Sequence, residues 1–201
     1  MKRSATIILT FAVLSVTNPL QGRIVHREQS LYQTILVDDT GSRRCLQFSV
    51  RRDQRNQSCI DLKYPQRMVF TYTQMMMAGL LLTPNPKKIL IIGLGGGTLP
   101  LALNDLFPGT LIDVVEIDAV VVRVAEEYFG FQSGERINVF EMDGRIFTKR
   151  ALIRGDRYDL IILDAFNGDY IPEHLMTREY LQETRTLLGT QGTLVANTFS
   201  K

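Results

Sequence analysis

Apolar and polar positions alternate in regular blocks along the second half of the chain. Short runs rich in Ile, Leu and Val are each followed by a longer segment with apolar residues at helical spacing. This pattern predicts strands at 89–94, 111–117, 137–141, 158–164 and 192–197, and helices at 98–107, 118–129, 144–153 and 172–188. Strands that alternate with helices in this way form βαβ crossovers. The predicted fold class is therefore α/β, with a mainly parallel sheet and helices on both faces.

The first half of the chain has a different pattern. Residues 31–37 alternate and end in a turn signal at 38–41, which predicts a small antiparallel β unit. Residues 68–82 are apolar on nearly every face, which predicts a buried helix with the methionine run at 75–77 as core filler. Pro84 and Pro86 end this helix. The predicted domains are a signal-like or anchor segment at 1–22, the β unit with its linking helix at 23–83, and the α/β domain at 84–201.

The predicted strands end in residues that can bind a ligand. After the first strand, glycines let the backbone take φ > 0 and leave no Cβ between the loop and a ligand. The next three strands end in carboxylates. Ligands of open parallel sheets bind outside the carboxyl ends of the strands, so one nucleotide-type crevice is expected. The residues are Gly93, Gly95, Gly97, Glu116, Asp118, Asp143, Gly144 and Asp164. The alternatives are an ordinary strand-to-helix turn and, for Asp118 and Asp143, helix N-caps.

Composition narrows the choice of partners. The chain has 201 residues, of which 45% are hydrophobic and 22% charged, as in an ordinary globular protein. Its formal net charge of +2 gives no argument for nucleic acid, and the arginines between 43 and 55 favour a solvated hairpin face over a phosphate site. Two histidines and two cysteines without C-x-x-C spacing predict no metal site. Cys45 and Cys59 could pair in an exported protein, and the prediction is that both are reduced and structural.

Several motifs in this order resemble the polyamine aminopropyltransferase family, the spermidine synthases. The resemblance extends from about residue 29 to residue 197 and implies a Rossmann-like sheet of the class I S-adenosylmethionine type. It rests on Ser30-Leu31-Tyr32-Gln33, Tyr72, Pro84-Asn85-Pro86, the loop from Gly93, Val115-Glu116-Ile117-Asp118, Asp143-Gly144 and the strand that ends at Asp164. The activity it implies is transfer of an aminopropyl group from decarboxylated S-adenosylmethionine to a diamine such as putrescine. Methylthioadenosine would be released, and no metal would take part.

The resemblance also implies a role for each matching position. Glu116 would bind the ribose hydroxyls, Asp143 the adenine amino group, and Gln33 the nucleoside from the N-terminal β unit. The glycine loop, with Asp118 and Gly144 beside it, would complete the cofactor site. Asp164 would be the catalytic carboxylate that orients the attacking amine and accepts its proton. The predicted substrate contacts are Tyr72, Asn167 and Asp169.

Three departures from the family pattern keep other functions open. Gly96 and Asn167 stand where the family has acids, and Thr73 stands at the family's next channel position after Tyr72. One alternative is a methyltransferase that uses S-adenosylmethionine itself. Another is a non-catalytic nucleoside-binding relative. Class I folds continue with two further strands after the fifth, so the chain is interpreted as a fragment or as a protein with an incomplete sheet.

The N-terminus bears on localisation. Lys2 and Arg3 precede an apolar run at 5–16, which resembles a signal peptide or a short anchor. The run is shorter than the roughly 20 apolar residues of a membrane span. The alternative is an apolar element packed on the protein body. Because adenosyl cofactors are made in the cytosol, a cytoplasmic or membrane-tethered protein is favoured over an exported one, with membrane contact only through this segment. The resemblance adds a homodimer as one expected assembly.

Overall fold

The computed structural model describes residues 22–50, 53–166 and 171–198. Predictions for residues 1–21, and for Asn167 and Asp169, lie outside the described residues. The strands and helices follow in chain order: β1 Arg23–Gln29, β2 Thr34–Thr40, β3 Arg43–Val50, β4 Asp53–Asp61, α1 Thr71–Met76, β5 Lys88–Ile92, α2 Thr98–Leu106, β6 Leu111–Glu116, α3 Ala119–Phe129, β7 Ile137–Glu141, α4 Gly144–Arg154, β8 Tyr158–Leu163, α5 Arg178–Leu187 and β9 Leu188–Ala196. Short 3₁₀ helices occupy Met77–Leu81 and Glu173–Leu175.

The N-terminal half forms a four-stranded antiparallel sheet in the order β1-β2-β3-β4. One side of this sheet is apolar because the strands alternate, and it packs on helix α3 of the second half. Ile35, Leu46 and Phe48 of the sheet share a buried cluster with Val121 and Phe129 of the helix. The predicted antiparallel unit is confirmed, and its packing places the β unit over one end of the second sheet.

The second sheet is entirely parallel and has the order β7-β6-β5-β8-β9. Both faces are covered, which explains why the residues of β5 from Ile89 to Ile92 are all buried. Strand order reverses between β5 and β8, and a crevice for ligands opens at such a switch point. The predicted α/β fold class is confirmed.

Two predicted helices differ in detail. The segment predicted as a helix at 172–188 is divided, because Thr177 caps α5 through its side-chain oxygen, which accepts from the Tyr180 amide at 3.1 Å. The predicted buried helix at 68–82 is only partly correct. It is a short α-helix followed by a 3₁₀ turn, and Met75, Leu81 and Leu82 are exposed. Met76 alone of the methionine run is fully buried, so the prediction of Met75 as core filler is wrong.

Cys45 and Cys59 form a disulfide bond, so the prediction that both are reduced is wrong. The two residues are directly opposite each other on β3 and β4, with their Cα atoms 4.1 Å apart. Antiparallel pairing brings opposite residues this close. The sequence does not reveal the pairing, because the register shifts at an irregularity between Leu46 and Gln47.

Candidate active site

A cavity of about 650 Å³ lies at the carboxyl ends of β5, β6, β7 and β8, and the N-terminal β unit forms one of its walls. Its volume suits a ligand of nucleoside size. Most of the residues predicted from the sequence line it: Gln33, Tyr72, Gly93, Gly95, Glu116, Asp118, Asp143, Gly144 and Asp164. The converging strand ends therefore form one site, as the sequence predicts.

The glycine loop contributes backbone to this cavity, but its members have different roles. Gly93 has φ 104°, and a Cβ there would collide with the carbonyl of Asp164. Gly97 does not line the cavity. It caps α2 with φ 74°, and a Cβ on it would lie 2.5 Å from the ring of Phe131. The sequence predicts Gly97 in the cofactor site, whereas in the structure it packs against Phe131 behind the loop.

Gly96 stands at the position where the family has an acid, and the structure shows why no side chain fits. A Cβ at this position would lie 2.8 Å from Ser58 Oγ and 2.9 Å from the ring of Phe129. Ser58 comes from β4 and pairs with the hydroxyl of Thr98 at 3.3 Å. A hydroxyl pair therefore occupies the end of the loop, and sequence reasoning missed Ser58 because only tertiary packing brings it there.

Two carboxylates at the end of β6 point into the cavity. Glu116 accepts backbone hydrogen bonds from Leu94 and Asp118, each at 3.0 Å, and burial raises its pKa in spite of them. Asp118 uses Oδ1 to cap α3 through the amide of Val120, whereas its buried Oδ2 has no hydrogen-bond partner. Asp118 is therefore the N-cap of α3, and it also lines the cavity. Gln33, which also lines the cavity, likewise has a buried Oε1 without a hydrogen-bond partner.

Asp143 also has two functions. Its Oδ1 accepts from the amides of Arg145 and Ile146 at the start of α4, which makes it the N-cap. Its Oδ2 lies 2.8 Å from Nε2 of His174, a residue of the 3₁₀ turn that also lines the cavity. The sequence contains no signal for this pair, because the two residues are 31 positions apart.

Asp164 follows β8 and reaches the cavity between two polar neighbours. Its Oδ1 accepts a hydrogen bond from Nδ2 of Asn197 at 2.9 Å. The hydroxyl of Tyr72 also interacts with the carboxylate and lies 3.3 Å from the carbonyl oxygen of Gln57. Burial raises the pKa of Asp164 to about 6, although both hydrogen bonds oppose the increase. Burial and the charge of Asp164 together raise the pKa of Tyr72. Near neutral pH, Asp164 is thus an ionised carboxylate able to accept a proton.

The charges around the cavity have one sign. Five carboxylate side chains line it, from Glu116, Asp118, Asp143, Asp164 and Glu173. No lysine or arginine occurs among the described residues of its wall. Such a site attracts cations and repels carboxylates. In the described part of the chain, no group of three His, Cys, Asp or Glu side chains could hold a metal ion. Nor does any described helix have the length and apolarity to cross a bilayer.

Residues 69–200 match the spermine/spermidine synthase domain family. The chain belongs to this family. It is similar to a polyamine aminopropyltransferase of Vibrio vulnificus, with 50% identity over 96% of this chain and 67% of the relative.

This spermine/spermidine synthase family member is similar to a solved spermidine synthase and to a solved methyltransferase-like protein. A spermidine synthase in complex with the transition-state analogue AdoDATO is 26% identical, with a TM-score of 0.66 over 87% of this chain and 57% of that one. Human methyltransferase-like protein 13 in complex with SAH is 31% identical, with a TM-score of 0.58 over 62% of this chain and 63% of that one. The chain thus spans less than two thirds of either solved protein.

Proposed function

We propose that this protein transfers an aminopropyl group from decarboxylated S-adenosylmethionine to a diamine. The observation that carries the proposal is the ring of five carboxylates without a lysine or arginine in the described wall. Both reactants are cations: one has a sulfonium and an ammonium group, and the other has two ammonium groups. Intact S-adenosylmethionine adds a carboxylate, for which the described part of the wall offers no lysine or arginine. Family membership supports the same choice.

The chemistry requires a proton acceptor at the position of Asp164. An ammonium group has no lone pair, so the attacking amine must first lose a proton. The amine nitrogen then forms a bond to the methylene carbon next to the sulfonium. The bond between this carbon and sulfur breaks, its electron pair stays on sulfur, and neutral methylthioadenosine leaves. Asp164 accepts the proton, and its neighbour Tyr72 stabilises the carboxylate that holds the amine in position.

The nucleoside part is assigned from the polar atoms that point into the cavity. Glu116 is fixed by two backbone donors and retains lone pairs for ribose hydroxyls. Asp143 is held in place by its cap and by His174, and we assign it to the amino group of the base. Gln33 and Asp118 are assigned to the same ligand, because both line the cavity and each has an oxygen without a hydrogen-bond partner.

The test measures methylthioadenosine release from decarboxylated S-adenosylmethionine with putrescine as the acceptor. We expect turnover by the wild type and a loss of about 100-fold or more in Asp164→Asn. Asp105→Asn is the matched control, because Asp105 is an exposed aspartate on α2 away from the cavity. Equal activity of Asp164→Asn and the control would overturn the assignment of Asp164.

A methyltransferase is the second candidate, favoured by the solved methyltransferase-like protein 13 and by Gly96 in place of an acid. Separate titration of the purified protein with decarboxylated and intact S-adenosylmethionine distinguishes the two. We expect tighter binding of the decarboxylated form, and a preference for the intact form would favour the methyltransferase. Absence of product from both ligands with every acceptor would favour a non-catalytic nucleoside-binding relative.

A further inference from the structure

Asn197 lies directly behind the carboxylate of Asp164. It follows the last residue of β9, and its backbone amide donates to the carbonyl of Leu163 at 2.9 Å. This bond continues the pairing of β9 with β8 by one residue beyond the strand. The side-chain amide of Asn197 then donates to Asp164 Oδ1, also at 2.9 Å. Asn197 is not one of the residues that line the cavity. Its contact with the site is therefore made through Asp164.

We propose that Asn197 is a positioning residue for the transfer reaction, which holds one oxygen of Asp164 so that the other faces the substrate amine. The inference rests on the proposed function, because it assumes that Asp164 accepts the proton. Two hydrogen bonds from one residue, at the backbone and at the side chain, fix the position of the donor. A fixed donor restricts rotation of the carboxylate about its side-chain torsions, which preserves a productive geometry.

The surrounding charges explain why a neutral donor is needed here. The titratable residues that line the cavity together with Asp164 are Tyr32, Tyr72, Glu116, Asp118, Asp143, Glu173 and His174, and of these Tyr72 interacts directly with its carboxylate. Ionised carboxylates cannot donate hydrogen bonds to Asp164. The hydroxyl of Tyr72 has one proton and also lies within reach of the Gln57 carbonyl. The amide of Asn197 donates at every pH, so it favours the ionised form of Asp164 throughout the working range.

The experiment compares the pH dependence of kcat/KM in Asn197→Leu, Asn197→Gln and the wild type. In Asn197→Leu we expect the acid limb to move up by about one pH unit, because a hydrogen bond to the ionised form is lost. At a pH on that limb the rate falls about tenfold, while the KM for decarboxylated S-adenosylmethionine stays within about twofold. Asn197→Gln retains an amide donor and restores part of the rate.

Thr193→Val is the matched control on the same strand. It removes the hydroxyl pair between Thr193 and Thr83, 2.8 Å apart, without touching Asp164. We expect an unchanged pH profile for this variant. If Asn197→Leu lost activity by the same factor at every pH and Asn197→Gln restored none of it, as expected for a loosened strand, the positioning role would be refuted.

A direct titration separates this inference from the proposed function. NMR of ¹³C-labelled aspartate carboxyls follows Asp164 without turnover, and the signal is assigned by its absence in Asp164→Asn. We expect a higher titration midpoint in Asn197→Leu than in the wild type. An unshifted midpoint overturns the inference even if the enzyme is active. An inactive wild type with a shifted midpoint overturns the proposed function and leaves the hydrogen bond established.

Discussion

Alanine at Gly97 tests whether this glycine serves packing. Gly97 and Gly155 have nearly identical left-handed backbones, with φ 74° and 75°. Their surroundings differ completely. A Cβ on Gly97 would lie 2.5 to 2.7 Å from three atoms of Phe131, whereas a Cβ on Gly155 would meet nothing within 4 Å. The pair of variants therefore separates backbone strain from collision with the core.

The expected magnitudes follow from these two environments. A left-handed alanine costs about 1–2 kcal/mol, which applies to both variants. Phe131 is fully buried and has no free space to enter, so Gly97→Ala adds an overpacking cost of about 1–3 kcal/mol. The lower conformational entropy of the unfolded chain stabilises both variants equally, so it cancels in the difference between them. We expect Gly97→Ala to destabilise the protein by roughly 2–5 kcal/mol and Gly155→Ala by roughly 1–2 kcal/mol.

Urea unfolding measures both values, because the midpoint and slope of the transition give the free energy of unfolding. Gly95→Ala extends the comparison to the cavity side of the loop, since a Cβ there meets only Ser58 at an ordinary 3.5 Å. Its backbone is left-handed too, with φ 56°, so we expect Gly95→Ala to destabilise the protein by roughly 1–2 kcal/mol, as Gly155→Ala does, and in addition to weaken ligand binding. Equal destabilisation by Gly97→Ala and Gly155→Ala would refute the packing role of Gly97.

Three further predictions concern stability and charge. Reduction of the Cys45–Cys59 bond should lower the free energy of unfolding by about 3 kcal/mol, measured by urea unfolding with and without reductant, and the double alanine variant should not respond. Asp164→Asn should stabilise the protein. The pKa of Asp164 is raised to about 6 in the folded protein, so its neutral carboxyl contributes stability that is fully present below pH ~4 and is lost as the pH rises through 6. The variant is therefore more stable than the wild type by up to roughly 3 kcal/mol at alkaline pH and equally stable in acid. Gly96→Asp, which inserts the family acid, should lower the thermal midpoint and reduce activity because Ser58 occupies its space, and improved activity would contradict this.

Much of the fold could be predicted because the signals are local. The strands of the parallel sheet are short apolar runs, and their order with helices fixes the crossovers. The prediction for residues 68–82 is less accurate. Apolar composition indicates that a segment tends to be buried, but it does not show which of its side chains are covered by the rest of the protein. Leu81 and Leu82 are exposed although they are as apolar as their buried neighbours. The Cys45–Cys59 pairing depends on strand register, which sequence spacing does not contain.

The site shows the same division between local and tertiary information. The place of Glu116 and Asp143 in the cavity wall follows from the sequence, because parallel strands bring their carboxyl ends to one edge of the sheet. Ser58 and His174 reach the cavity only through packing of the β unit and of the 3₁₀ turn, for which no pattern exists in the sequence. Asn197 is different. It ends the fifth predicted strand, so the rule that ligands bind outside the carboxyl ends of parallel strands would select it as well.

The raised pKa values and the proposed choice of reactants have one physical origin. Glu116 and Asp164 are carboxyls removed from water without a lysine or arginine beside them in the described wall, so their ionised forms are costly in the free protein. A cationic ligand supplies the missing charge and lowers both pKa values again. Binding of a cation therefore lowers the free-energy cost of keeping these buried carboxylates ionised, whereas a ligand that has its own carboxylate raises this cost. The same electrostatic cost that makes Asp164→Asn more stable thus provides the preference for a sulfonium without a carboxylate.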